Sequence, residues 1–330
     1  MHRKMMRNDE INVYAFGEGG QMEKSGFGRF LKKLYKYRVY LLMLTPAVIY
    51  TLIFAYYPMT GIVMAFKKYS YSGGIWGSPW NGIENFKFFF QSGQAGIVTR
   101  NTVLYNILFI AIGTITQVAV AIFLTEIHNK RFRKVTQSMM FLPYFISWVI
   151  VGVMAFNIFS SDYGFLNRLI TMFGGKEISF YTKPEAWPFI LVFFSMWKGV
   201  GYGSVMYLAA IMGIDTSVYE AAAIDGANVF QRIFKVTIPC IMPTMIILLL
   251  MSVGGIFRGN FDMFYNLVGN NGLLYNNTDV IDTLTMRALI SSNDFGMSAA
   301  MGLYQSILCF VTILIANKLV SLYDKDYTLF

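Results

Sequence analysis

Residues 220–239 read EAAAIDGANVFQRIFKVTIP and lie between two long apolar stretches of a 330-residue chain. Thr216 or Ser217 is placed to cap a short helix that runs to Ile224. Three consecutive alanines favour this helix and give it a narrow face that another backbone can approach closely. Gly226 follows, and glycine readily adopts the positive φ that ends a helix and turns the chain. The first half of the segment is therefore predicted to be a short helix that ends in a tight turn.

The second half of this segment is predicted to be another helix that leads to Pro239. Proline suits the first turn of a helix, where its missing N–H leaves no hydrogen bond unmade. Residues 216–239 are thus expected to form a helix–turn–helix at the membrane surface, in which Glu220 and Asp225 face a binding partner.

The composition on either side of this segment is that of an integral membrane protein. Hydrophobic residues make up 55% of the chain and charged residues only 14%, against roughly 25% charged in an average soluble domain. Cys240 and Cys309 both lie in apolar runs, and with only two histidines no metal-binding cluster is expected. Six apolar stretches are each close to the roughly 20 residues that a membrane-spanning helix needs: Tyr40–Tyr57, Thr102–Glu126, Ser138–Ser160, Trp187–Ile214, Ile238–Phe257 and Ala299–Leu319.

The basic residues orient these six spans. Seventeen of the 27 Lys and Arg residues lie in the N-terminal arm, the 2–3 and 4–5 loops and the tail, and nine lie in the other loops. Since cytoplasmic segments carry the excess of positive charge, both termini are expected to be cytoplasmic. The predicted organisation is a basic N-terminal arm over residues 1–38, a six-span domain over 39–320, and a short cytoplasmic tail over 321–330.

The spacing in the 4–5 loop resembles a known motif. The run Glu-Ala-Ala, three residues, Gly, nine residues and Val-Thr-Ile-Pro is similar to the EAA loop of ATP-binding-cassette (ABC) importer permeases. The chain also resembles the sugar-transporting branch of that family, especially permeases for complex oligosaccharides, at several further sites: Tyr56-Tyr57-Pro58, Gly82–Phe86, Asn101-Thr102, Leu142-Pro143 and Trp197. The resemblance implies an all-α, six-span permease of the type I importer fold.

In this family the EAA loop inserts into a cleft on a cytoplasmic ATPase. The resemblance therefore implies that this chain is not itself an enzyme, and the sequence has no phosphate-binding loop of the G-x-x-x-x-G-K-[ST] kind. It implies a second homologous permease, two copies of an ATPase that carries ATP and Mg, and an external sugar-binding protein, either soluble or lipid-anchored, in a bacterial inner membrane. No cofactor is expected on this chain itself. The residues expected to couple to the ATPase are Glu220, Ala221, Ala222, Asp225, Gly226, Ala227, Phe230 and Pro239.

A sugar site is expected on spans four and five, because they flank the coupling loop. One helical face of span four carries polar and small residues at spacings of three and four, and span five repeats the pattern. These positions look like the sugar-contacting stripe of the maltose importer's larger membrane subunit. The basic residues among them would also suit an acidic oligosaccharide, although small and basic residues in spans also serve helix packing or snorkel to the interface. The predicted site residues are Ser195, Trp197, Lys198, Gly199, Tyr202, Ser252, Gly255, Ile256, Arg258, Gly259 and Asn260.

The alternative is an ion-coupled secondary transporter of a small polar solute. Such proteins usually keep Asp or Glu residues within the membrane as coupling sites. The six apolar stretches contain no mid-span carboxylate, since Glu126 lies at the end of the second. The residues therefore favour the importer.

Overall fold

The computed structural model describes residues 33–324 and 328–329. Residues 1–32 of the predicted basic arm (1–38), and residues 325–327 and 330 of the predicted tail (321–330), lie outside this part of the chain. The described residues divide into two compact units, and the division lies between Thr60 and Gly61. Apart from one isolated bridge between Lys67 and Trp80, the described residues form helices and turns without strands. The predicted all-α class is confirmed.

The first unit holds most of an apolar helical run. Helix α1 covers Arg38–Thr51 and is followed by a wider π turn over Leu52–Tyr56 and by tight 3₁₀ turns over Tyr57–Phe66. The α geometry is lost one turn before Pro58, whose ring disfavours a helical conformation in the residues that precede it. Pro58 lies where the π turn is followed by the 3₁₀ turns, so the helix type of the first apolar run changes at this residue.

The second unit contains the remaining apolar helices and the short helices that join them. Its α-helices are α2 (Gly74–Gly77), α3 (Glu84–Gln91), α4 (Gln94–Glu126), α5 (Lys130–Phe141), α6 (Trp148–Phe159), α7 (Phe165–Met172), α8 (Trp187–Met212), α9 (Thr216–Ile224), α10 (Val229–Arg232), α11 (Ile238–Gly254), α12 (Phe261–Val268), α13 (Tyr275–Thr278), α14 (Ile281–Ile290) and α15 (Phe295–Tyr323). Three 3₁₀ turns, Leu142–Phe145, Phe180–Thr182 and Pro184–Ala186, and one π turn, Ile233–Thr237, lie between them.

Five helical runs of the described residues are long and apolar enough to cross a membrane, and a sixth span is broken. The third predicted span, Ser138–Ser160, is not one straight helix: Lys130–Phe145 and Trp148–Phe159 meet at 93°. Pro143 lies in the 3₁₀ turn at the end of the first arm, where it cannot donate a backbone hydrogen bond. Ser147 starts the second arm by accepting a bond from the Ile150 N–H. The apolar composition of this stretch was predicted correctly, but its bend was not.

Spans two and four carry the main core of the second unit, together with α6 and α12. Trp187, Leu191 and Phe264 are fully or almost fully buried there. Gly152 allows α6 to approach α12 closely, because a methyl group at this position would lie 2.3 Å from the carbonyl oxygen of Asn266.

The end of span five is an irregular turn, residues 255–260, that neighbouring helices hold in place. The Asn106 side-chain amide donates to the Arg258 carbonyl at 3.0 Å. The Asp282 carboxylate accepts from the Gly259 N–H at 2.6 Å and from the Gln305 amide at 2.8 Å. Burial raises the pKa of Asp282, while these two hydrogen bonds act in the opposite direction. One oxygen of Asp282 therefore joins spans five and six to α14.

This arrangement predicts a difference between two substitutions of Asp282. Asp282→Asn keeps a carbonyl oxygen for both donors and removes a partly buried charge, so thermal unfolding in detergent should occur at the same or a higher temperature. Asp282→Leu leaves two inward-facing donors without this acceptor. Each donor that stays buried should lower the free energy of unfolding by about 1–3 kcal/mol. Equal unfolding temperatures for the two variants would contradict the proposed role of the hydrogen bonds.

Candidate functional site

The loop between spans four and five begins with α9, Thr216–Ile224. Its N-cap is Asp215, whose carboxylate accepts from the Ser217 N–H at 2.9 Å. The prediction that Thr216 or Ser217 caps this helix was therefore wrong, because the carboxylate one residue earlier reaches the free N–H groups first. The same backbone hydrogen bond lowers the pKa of Asp215.

Gly226 ends α9 with φ +74°, the positive value that its position in the sequence predicts. The Ala227 N–H donates to the Ala222 carbonyl and the Gly226 N–H donates to the Ala223 carbonyl, at 2.9 and 3.1 Å. This pair of bonds is a Schellman motif, which satisfies carbonyls that the end of a helix leaves free. The turn is thus fixed by backbone chemistry and by the absence of a side chain at Gly226.

The chain after the turn enters span five without a break. Asn228 and Gln231 form a reciprocal capping box at the start of α10. The π turn Ile233–Thr237 then joins α10 to α11, and the whole run Val229–Gly254 is long and apolar enough for one span. Pro239 lies in the first turn of α11, and the wide turn directly precedes it. The second helix of the predicted helix–turn–helix is therefore the extension of span five.

Several apolar side chains of this loop are exposed. Ile224 is 86% exposed, Phe230 is 73% exposed and Phe234 is 67% exposed. Glu220, Ala221 and Asp225 are exposed beside them, whereas Ala222 and Ala227 are half-buried. We call Ile224, Phe230 and Phe234, with Glu220, the loop surface. Exposed apolar groups with charged neighbours are typical of a protein-binding surface.

Two side-chain contacts attach the loop to the helices around it. The Tyr219 hydroxyl on α9 lies 3.0 Å from the Thr237 hydroxyl, which is buried. Arg232 pairs with Glu126, the last residue of α4, at 3.6 Å. Sequence reasoning missed both contacts, since each joins residues whose spacing in the chain gives no signal. The loop is consequently connected to both span two and span five.

A cleft of about 560 Å³ lies between spans two, four and five. Four of the predicted sugar-site residues line it: Ser195, Gly199, Tyr202 and Ser252. Spans four and five therefore do share a cavity on the predicted helical face. Span two adds two amides and a hydroxyl that the prediction missed, those of Asn106, Gln117 and Thr114. Polar residues within an otherwise apolar span were a signal that could have found them.

Two predicted residues of span four lie elsewhere. Trp197 packs edge-on against Phe194, with ring centres 6.2 Å apart, and lines a separate apolar cavity next to the bend in span three. The Lys198 ammonium donates to the carbonyls of Tyr144 and Ile146 at 2.6 and 2.5 Å, and to a third at 3.3 Å. Both side chains thus face span three, because they point away from the side of α8 that lines the cleft.

The remaining predicted residues lie in the irregular turn after span five and do not line the cleft. They are Gly255, Ile256, Arg258, Gly259 and Asn260. Gly259 is packed against Asp282 and Val280, and the Asn260 side chain caps α12 by accepting from the Met263 N–H. The helical spacing used to predict Gly255, Ile256 and Gly259 fails here because α11 ends at Gly254.

The chain matches the family model described as binding-protein-dependent transport system inner membrane component over residues 117–324. It is 33% identical to protein LplB of Bacillus subtilis (strain 168), over 86% of this chain and 89% of that protein. It is 31% identical to the polygalacturonan/rhamnogalacturonan transport system permease YteP of the same strain, over 90% of this chain and 92% of that protein.

Solved structures agree with these matches. A chain of a bacterial ABC transporter for the acidic polysaccharide alginate superposes with a TM-score of 0.81 at 32% identity, covering 88% of this chain and 98% of its own. A chain of a bacterial alginate ABC transporter in complex with an alginate pentasaccharide-bound periplasmic protein gives a TM-score of 0.79 at 32% identity, over 88% and 96% of the two chains.

Two neighbouring glycines of span four are predicted to respond differently to alanine. A methyl group at Gly201 would lie 1.9 Å from the Met140 carbonyl oxygen, whereas no atom in the described part of the chain lies within 4 Å of one at Gly199. Gly201→Ala should therefore push α8 away from α5 and lower the thermal unfolding temperature in detergent. Gly199→Ala is the matched control and should unfold like the native protein; a loss of equal size in both variants would contradict the close approach.

Proposed function

We propose a mechanism and an assembly for this chain, which belongs to the family of binding-protein-dependent transport system inner membrane components. The chain is a multi-pass membrane permease subunit of an ABC importer for sugars. The single observation that carries it is the cleft between spans two, four and five, because the last two of these spans are joined by a loop whose exposed apolar side chains suit a partner.

Oligosaccharides pass through the cleft, where the side chains offer the chemistry that a sugar needs. Hydroxyl and amide groups of Ser195, Ser252, Asn106 and Gln117 line it and can bond to sugar hydroxyls. The Tyr202 ring, half exposed, provides an apolar face for the C–H surface of a sugar ring. The described lining carries no charged side chain.

The names of the relatives, and not the residues of this cleft, support the prediction of an acidic substrate. Lys198 and Arg258, the two basic residues behind that prediction, do not line it. YteP is named for polygalacturonan and rhamnogalacturonan, and both solved transporters are named for alginate. These names make fragments of acidic polysaccharides the first substrates to test.

The energy comes from a partner. The loop surface binds a cytoplasmic ATPase, two copies of which carry ATP and Mg, and a second homologous permease completes the membrane part. Both termini then lie in the cytoplasm. Because α10 continues into span five and Arg232 pairs with Glu126 of span two, a tilt of the loop moves two walls of the cleft together. Such a movement switches the cleft between external and internal access.

The first experiment tests the assembly and the substrate. The chain, tagged and expressed with its partner subunits, should copurify with an ATPase and a second permease. Cells that carry the system should take up labelled alginate pentasaccharide or oligogalacturonides. Vanadate should stop this uptake, whereas loss of the proton gradient caused by a protonophore should not by itself stop it. Uptake that follows the ion gradient, without a copurifying ATPase, would favour the secondary transporter.

A second experiment tests the loop through Gly226. Gly226→Val places a β-branched side chain at positive φ, which costs about 1–2 kcal/mol even for an unbranched residue and distorts the turn below the loop surface. Among the described residues, no other atom lies within 4 Å of a methyl group here, so the effect within this chain comes from backbone conformation and not from crowding. We expect sugar-stimulated ATP hydrolysis of the assembled complex to fall strongly.

Gly226→Asn is the matched control, since asparagine tolerates the left-handed conformation better than other side chains. It should retain most of the stimulated activity. Insertion into the membrane should be normal in both variants. Full sugar-stimulated hydrolysis in Gly226→Val would remove the loop from the coupling path.

A further inference from the structure

The bend in span three exposes backbone carbonyls inside an otherwise apolar segment. Residues 142–145 form the 3₁₀ turn and Ile146 is extended, so the carbonyls around the bend have lost their regular helical partners. An unpaired carbonyl in an apolar surrounding is costly. The Lys198 ammonium supplies donors here: it bonds to the carbonyls of Tyr144 and Ile146 at 2.6 and 2.5 Å. It also lies 3.3 Å from the Pro143 carbonyl, which accepts from the Ile146 N–H at 3.2 Å as well.

Two aromatic rings complete the site of this ammonium. It lies 5.5 Å from the centre of the Tyr144 ring and 5.4 Å from the centre of the Trp148 ring, within the range of cation–π attraction. Three carbonyl oxygens and two ring faces thus surround a positive charge that has no carboxylate partner among the described ion pairs. Lys198 is therefore held in one position.

The bend is also attached to the cleft through a pair of tyrosines. The Tyr144 ring stacks on the Tyr202 ring with centres 4.2 Å apart and planes 6° apart. Tyr202 lines the cleft, and both side chains are exposed, at 40% and 50%. Gly201 lets α8 come against the Met140 carbonyl beside them. The position of the Tyr202 ring therefore depends on the position of the bend.

We infer that Lys198 is a positioning residue, which fixes the bend of span three and so holds the stacked Tyr144–Tyr202 pair as an aromatic platform at the wall of the cleft. Lys198 does not touch the sugar in this arrangement. The inference rests on the proposed passage of sugar through the cleft, and it replaces direct recognition of an acidic sugar by Lys198.

A spectroscopic experiment tests the positioning without any sugar. 3-Fluorotyrosine is introduced at Tyr144 in the assembled complex, and its ¹⁹F resonance reports the ring current of the stacked Tyr202. Tyr202→Leu gives the position of the unstacked resonance. Lys198→Met, which keeps the length of the side chain but removes its donors, should move the resonance toward that position. Lys183→Met, at an exposed lysine outside the span, is the matched control and should leave it unchanged.

An uptake experiment tests the consequence for transport. Alginate pentasaccharide and its carboxyl-reduced form are the acidic and neutral probes. Lys198→Met removes hydrogen bonds from a charged group. In Lys198→Met complexes that retain their ATPase, uptake of both probes should therefore fall by the same factor, about tenfold or more. Lys198→Arg keeps a cation and its donors and should recover part of the uptake. In a Tyr202→Leu background, Lys198→Met should have little further effect.

The outcomes separate the alternatives. An unchanged ¹⁹F resonance in Lys198→Met overturns the inference, and so does a loss of uptake confined to the acidic probe, which would make Lys198 a ligand for the sugar carboxylate. If the native complex takes up neither probe nor any other oligosaccharide, the proposed function fails, while the resonance still decides whether Lys198 holds the tyrosine pair.

Discussion

This structure depends on one constraint: backbone N–H and C=O groups must find hydrogen-bond partners wherever an apolar helix breaks. A regular helix satisfies its own backbone in a bilayer, but a broken one must find donors and acceptors in its neighbours. Span three is broken by its bend, and Lys198 of span four bonds to its carbonyls. Span five ends in an irregular turn, and Asn106, Asp282 and Gln305 bond to it. Each break thus becomes a point of attachment between helices.

These attachments explain the arrangement around the cleft. Small residues bring the helices together, as where Gly201 meets the Met140 carbonyl and Gly152 meets Asn266. Polar side chains then fix the register of the contact, because a hydrogen bond has a narrower range of distance and angle than apolar packing. Among the described residues, no buried side-chain nitrogen or oxygen lacks a partner. The helices that line the cleft are therefore held by specific bonds at their irregular ends and by packing along their regular parts.

The parts of this fold that could be predicted from sequence are those that depend on local chemistry. Apolar runs of sufficient length predict spans, and glycine after an alanine-rich helix predicts the positive φ found at Gly226. The helical spacing in span four correctly brought Ser195, Gly199 and Tyr202 to one cavity. The same reasoning extended a helical face past Gly254, where the helix ends, to Gly255, Ile256 and Gly259, which do not line the cleft. Lys198 was misplaced for a different reason: its partners are carbonyls, which have no signature in the sequence.

The loop is connected to the cleft by a helix and by an ion pair, and not only by its own capping bonds. A loop held only by its own capping bonds could turn without moving the spans, as an independent domain would. Here the π turn before Pro239 carries α10 into span five without a break, and the Glu126–Arg232 pair joins it to span two. Both spans contribute to the cleft, through Ser252 on one and Asn106 and Gln117 on the other. In the proposed mechanism, the continuous helix and this ion pair transmit a displacement of the loop to two walls of the cleft, because span five and span two each carry part of its lining.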